Sequence, residues 1–147
     1  MIRCATQHTA FVRVGMAAAL ATMMSFAASG TTTVSDGVMT ITDAGNLSTV
    51  LSASEKALLT GNAVTKVIVN LSTKSVLSLD EDLSLYKGGW TIQNGQVNVE
   101  LASGALGSGT SDDAAIELPT TNGQLFVPTD MNATVSNPIR ISGSRRR

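Results

Sequence analysis

Two clusters of carboxylates and one aromatic pair carry whatever chemistry this chain can do. Asp80-Glu81-Asp82 is the densest acidic stretch. A hard cation such as calcium needs several oxygen ligands, and Asp80 and Asp82 are candidates to supply them or to activate water. The same residues also suit a solvated turn between Leu79 and Leu83, where Asp is favoured for turn formation alone. Asp112-Asp113 lies in a Gly/Ser-rich stretch and is a candidate acid–base pair for glycoside hydrolysis. On an extended chain, however, neighbouring side chains face opposite ways. Tyr86 and Trp90 flank Lys87-Gly88-Gly89. If exposed, they would stack on sugar rings beside the Lys87 ammonium; alternation of Trp90 with Ile92 fits a core position equally well.

The one Cys and the one His exclude more than they offer. Cys4 and His8 both lie near the start of the chain, within a stretch that reads as an export signal. Arg3 and Arg13 precede an apolar run from Val14 to Ala28, and small residues follow at Ala27-Ala28-Ser29-Gly30. Cleavage after Ser29 or Gly30 puts Ala at the −3 position. The run is short of the ~20 apolar residues a membrane-spanning helix needs. A mature chain from Thr31 would contain neither Cys nor His. It would have no Ser-His-Asp or Cys-His nucleophile, no His- or Cys-based metal site and no disulfide. Carboxylates, Lys, Arg, Tyr and hydroxyls are what remain.

Composition bounds the class. The 147 residues suffice for one modest domain, and 43% of them are apolar. Charged residues make only 14% and aromatics 3%, which predicts an aliphatic core and a surface of Ser, Thr, Asn and Gly. All eleven carboxylates lie from Asp36 onward, so the body is mildly acidic and lacks a basic stripe. Such a surface neutralises phosphates poorly, and nucleic acid is not expected as a partner.

Period and turn signals place these residues on elements. Thr31 to Ser35 and Val38 to Thr42 alternate around Asp36-Gly37, a hairpin signal. Leu47, Val50, Leu51, Ser54 and Leu58 then recur at helical spacing. They predict a helix over 46–60 with Asp43 or Asn46 as N-cap and Gly61 as C-cap. Short apolar segments follow: Val67–Leu71, Val76–Leu79, Leu83–Tyr86, Trp90–Ile92, Val97–Leu101, Ile116–Leu118, Leu125–Val127 and Ile139–Ile141. Val67 to Trp90 and Val69 to Ile92 are each 23 apart, and Leu77 to Val99 and Leu79 to Leu101 are each 22. Leu83-Ser84-Leu85 aligns with Ile116-Glu117-Leu118 after 33. A period in the low twenties predicts a solenoid whose coils bury their inward faces on one another; the alternative is an antiparallel β-sandwich.

Leu85-Tyr86-Lys87-Gly88-Gly89-Trp90-Thr91-Ile92-Gln93-Asn94-Gly95 resembles the coils of right-handed parallel β-helices of the pectin-lyase-like class. Gly107-Ser108-Gly109-Thr110-Ser111-Asp112-Asp113-Ala114-Ala115-Ile116 is similar to the "GDGxTDDTAAI" pattern of the tailspike and pectate-lyase-like branch. Gly123 to Pro128 and Ser136 to Ile141 resemble its "G-x-v-x-vP … s-x-PI-x-I". Pro119 and the polar residues after it depart from that branch by cutting off the helix expected after the paired Asp. The resemblance implies a mainly β chain, a single-stranded right-handed parallel β-helix of about three coils with an N-terminal amphipathic capping helix. The expected organisation is a signal peptide over 1–30, strands and capping helix over 31–64, a β-solenoid over 65–144 and a basic tail over 145–147.

Three functions fit. The leading expectation is an exported, non-enzymatic module at the cell surface that contacts polysaccharide or another surface polymer. A polysaccharide lyase or glycoside hydrolase relative would instead use Asp80, Asp82, Asp112 or Asp113 in calcium or acid–base roles, with Lys87 or Arg140 as the basic partner. A virion or surface-layer subunit also suits the low-charge composition.

Overall fold

A computed structural model describes residues 30–43 and 48–142. The signal stretch short of Gly30, Asn46, Leu47 and the tail at 145–147 lie outside the described residues. The chain is mainly β: β1 (Thr31–Ser35), β2 (Val38–Thr42), β3 (Ser48–Val50), β4 (Lys66–Asn70), β5 (Val76–Leu79), β6 (Gly89–Val99), β7 (Ile116–Leu118), β8 (Gly123–Phe126) and β9 (Ile139–Ile141), with one helix, α1 (Ala53–Thr60).

The first two strands form the hairpin that Asp36-Gly37 predicts. Both residues take left-handed backbone (φ 51° and 76°), as a two-residue turn that follows the strand twist requires. From β2 onward every described strand pairing is parallel, which overturns the antiparallel sandwich. The pairs form two ladders. One runs β1-β2-β4-β6-β7-β9 and the other β3-β5-β6-β8; because the two halves of β6 belong one to each, the nine strands make a single open, mixed sheet.

In the first ladder Val67 stands beside Trp90 and Val69 beside Ile92, the 23-residue offset of the sequence. The second ladder corrects the 22-residue offset. Leu77 pairs with Val97 and Leu79 with Val99, 20 apart. Five residues, Leu71 to Ser75, separate β4 from β5, whereas Gly95 alone turns β6 from one ladder into the other, at φ 85°. The match of Leu83-Ser84-Leu85 with Ile116-Glu117-Leu118 also fails. Ile116 pairs with Trp90, while Leu83 to Tyr86 is a turn whose neighbours on the next rung are Gly104 and Ser108.

The predicted helix is shorter at its start. Residues 48–50 form β3, with Val50 pointing outward, and α1 begins only after Ser52. A capping box decides the boundary: Glu55 N–H donates to Ser52 Oγ at 3.3 Å, and Ser52 N–H donates to Glu55 Oε2 at 2.6 Å. Asp43 is not a cap; its Oδ1 accepts from Ser72 N–H at 2.7 Å. The helix contributes Leu59 to the core and the segment before it contributes Leu51, whereas Leu58 is 37% exposed.

Inward positions of the first ladder stack Met39, Val67, Trp90 and Ile116 in one column and Ile41, Val69 and Ile92 in the next. The second ladder adds Leu77, Leu79, Val97 and Val99. Leu83, Tyr86 and Leu106 belong to the same core. Each such side chain contributes roughly 1.5–3 kcal/mol by leaving water.

Candidate functional site

An open cleft of about 590 Å³ lies where β6 begins, floored by Gly88-Gly89 and walled by Lys66, Lys87, Asp112, Asp113, Glu117 and Arg140. The floor must be glycine. A methyl on Gly89 would stand 2.5 Å from Asp113 O and 2.9 Å from Ala115 O, and one on Gly88 would overlap Thr65 O. Successive turns of chain therefore press directly on this dipeptide.

The ladder positions the charged walls. Lys66 pairs in register with Gly89, which has no side chain, so the lysine reaches across that rung to Glu117 on the next. Lys66 Nζ donates to Glu117 Oε2 at 3.0 Å, and Thr91, in register with Glu117, donates its hydroxyl to the same oxygen at 2.9 Å. The Lys66 hydrogen bond, helped by Thr91, holds the Glu117 carboxyl below the usual glutamate range. Arg140 is the next residue in that column and bonds Asp112 Oδ1 at 2.8 Å.

Two charges at the rim lack a charged partner among the described residues. Lys87 Nζ donates to Ser108 Oγ and to Ser84 O, both neutral acceptors. Asp113 is exposed and makes no ion pair or side-chain hydrogen bond. Asp112 and Asp113 do not lie on extended chain. They begin a 3-10 turn (Asp112–Ala114) that follows Ser111, and both line the cleft.

The other sequence candidates lie elsewhere. Tyr86 and Trp90 are both 0% exposed, so neither can stack on a ligand, a correction to the aromatic patch. Inward parity fixes Trp90 in the column of Val67 and Ile116, and Tyr86 packs edge-on against it. Asp82 Oδ1 accepts from Ser84 N–H at 2.8 Å, an Asx turn. That backbone bond, with the Ser84 hydroxyl, holds its carboxyl below the usual aspartate range. Glu81 pairs with Lys56 of α1, and Asp80 is exposed beside it. The acidic stretch does not line the cleft, and no group of three or more His, Cys, Asp or Glu among the described residues converges as a metal site.

Lys66 and Glu117 escape a reading by sequence proximity because 51 residues separate them. The available signal was parity: both occupy outward positions of strands whose inward neighbours are Val67 and Ile116.

No protein-family model, curated protein or solved structure matches the chain. Among the described residues no helix is long and apolar enough to cross a membrane.

Proposed function

We propose that this chain is an exported, non-enzymatic module that contacts an extracellular polysaccharide or cell-surface polymer, on a right-handed parallel β-helix of the pectin-lyase-like kind. The parallel ladders from β2 to β9 support that fold, since three successive turns of chain (66–88, 89–115 and 116–138) each place a strand in both ladders. Right-handedness follows the general rule for parallel crossovers.

The Gly88-Gly89 cleft carries the functional reading. It is open, so a polymer can pass through it, and its floor is backbone on a stacked core. Its Lys66–Glu117 and Arg140–Asp112 pairs present donors and acceptors already fixed in place, which suits binding of hydroxylated chains. Folded protein applied to a glycan array or to cell-wall preparations tests this reading. Retention that falls on Lys87→Ala or Arg140→Ala is expected; no binder on either surface overturns it.

One observation favours a second reading. Asp112 and Asp113 share the cleft with Lys87 and Arg140, the residues that a polysaccharide lyase or hydrolase relative would use. Incubation with polyuronates, with and without calcium, separates the two. Release of unsaturated product would make the chain an enzyme.

A further inference from the structure

We propose that the Gly88-Gly89 cleft selects a zwitterionic saccharide unit, one bearing a carboxylate or similar monoanion together with a free ammonium; this rests on the polymer-contact reading above. The inference comes from which charges are already spent. Of the three cations and three carboxylates around the cleft, Lys66 is matched to Glu117 and Arg140 to Asp112. What remains is one ammonium, Lys87, and one carboxylate, Asp113.

These two do not neutralise each other: no ion pair joins them. Lys87 Nζ is held instead on Ser84 O and Ser108 Oγ. The Asp113 main chain lies against Gly89, two residues beyond Lys87. Both residues that carry the leftover charges line the cleft.

A ligand is judged against that residue of charge. A purely anionic sugar satisfies Lys87 and is repelled by Asp113. A purely cationic one does the reverse, and a neutral one leaves both charges without a partner in a confined space. Only a ligand with one group of each sign makes two charge-assisted hydrogen bonds at once. Two pairs built into the walls keep the local balance neutral, so the selection is local and not a long-range attraction of either sign.

The test uses four polymers on the whole chain: partly N-deacetylated hyaluronan, which carries carboxylates and free amines; intact hyaluronan; chitosan oligomers; and dextran. Titration calorimetry is expected to give the N-deacetylated polymer at least about tenfold the affinity of the other three, and Lys87→Ala and Asp113→Ala are each expected to cost about tenfold. Both side chains are exposed, and far-UV circular dichroism checks that the variants fold. Combining Lys87→Glu with Asp113→Lys exchanges the signs and is expected to keep the preference. If intact hyaluronan or chitosan binds as tightly as the N-deacetylated polymer, or if neither alanine variant weakens binding, zwitterion selection fails while polymer contact stands. If none of the four binds, the selection fails here, and the glycan array and cell-wall preparations decide polymer contact separately.

Discussion

Tyr86 and Trp90 meet edge to face at 5.9 Å between ring centres, 84° apart, and each donates its one polar hydrogen to a backbone carbonyl. Tyr86 Oη bonds Gly89 O at 2.8 Å, and Trp90 Nε1 bonds Leu106 O at 3.0 Å. The pair thus fastens the start of β6 to the two turns flanking it. Tyr86→Phe leaves the Gly89 carbonyl without that donor and is expected to cost about 1–3 kcal/mol in urea unfolding. Trp90→Ala is expected to cost about 3–5 kcal/mol.

Burial pushes the Tyr86 phenol above its ordinary value of 10.0. Its neutral form is therefore favoured in the folded state, and the stability this contributes is complete below pH 10 and declines above it, as the unfolded chain ionises. Alkaline unfolding is expected to release this one tyrosine abruptly, without a separate titration in the folded protein. Absorbance of the phenolate against pH checks it. A smooth titration with the circular dichroism unchanged would contradict the burial.

At the cleft floor, Gly89→Ala sets a methyl 2.5 Å from Asp113 O. Backbone cannot yield as a flexible side chain does, so a loss of about 2–4 kcal/mol is expected from the urea midpoint. Gly88→Ala is expected to do the same through Thr65 O.

The depressed Glu117 carboxyl contributes stability that is present above its unfolded value of 4.5 and lost as pH falls through the lower folded value. The pair is partly exposed, so the contribution is expected to stay under about 1 kcal/mol. Thermal melts of Glu117→Gln should converge with those of the parent below that window, and added salt should narrow the gap at neutral pH.

On α1, Leu59→Asp is expected to unfold the domain, because the side chain is 0% exposed, whereas Leu58→Asp is expected to cost less than about 1 kcal/mol. Ser52→Ala removes the capping box and is expected to cost about 1 kcal/mol; Ser52→Asp retains an acceptor and is expected to restore most of it. Coincident melts for the Leu58 and Leu59 variants would mean that the helix covers no core.

Parity along the strands was legible in the sequence, and register was legible only in part. The first ladder is announced by Val67 and Val69 against Trp90 and Ile92. In the second, Val97, Val99 and Leu101 alternate, and a two-residue slip leaves every inward side chain inward. Alternation therefore cannot tell 20 from 22; the choice is made by Gly95 turning a corner in one residue where Leu71 to Ser75 spend five. The helix starts later than the spacing predicts for a related reason. Val50 fits a helical stripe, but the Ser52–Glu55 box fixes where the first turn begins. The cleft was half legible: Lys87, Arg140 and the two Asp could be named, but their meeting over Gly88-Gly89 depends on offsets of 23 and 26 residues between rungs.

Strand β6 has a consequence for how the molecule comes apart. Stacked arrays usually fray from their ends, because each unit holds only its neighbours. Here one unbroken strand of eleven residues is hydrogen-bonded to β4 and β7 through its first half and to β5 and β8 through its second. Neither ladder can open in its middle without pulling on the other. Amide hydrogens of β6 should exchange last and together, at the global unfolding rate, while those of β1 and β9 exchange through local opening. The strand that floors the cleft is thus the cooperative unit of the domain, and the cleft should persist until the whole chain melts.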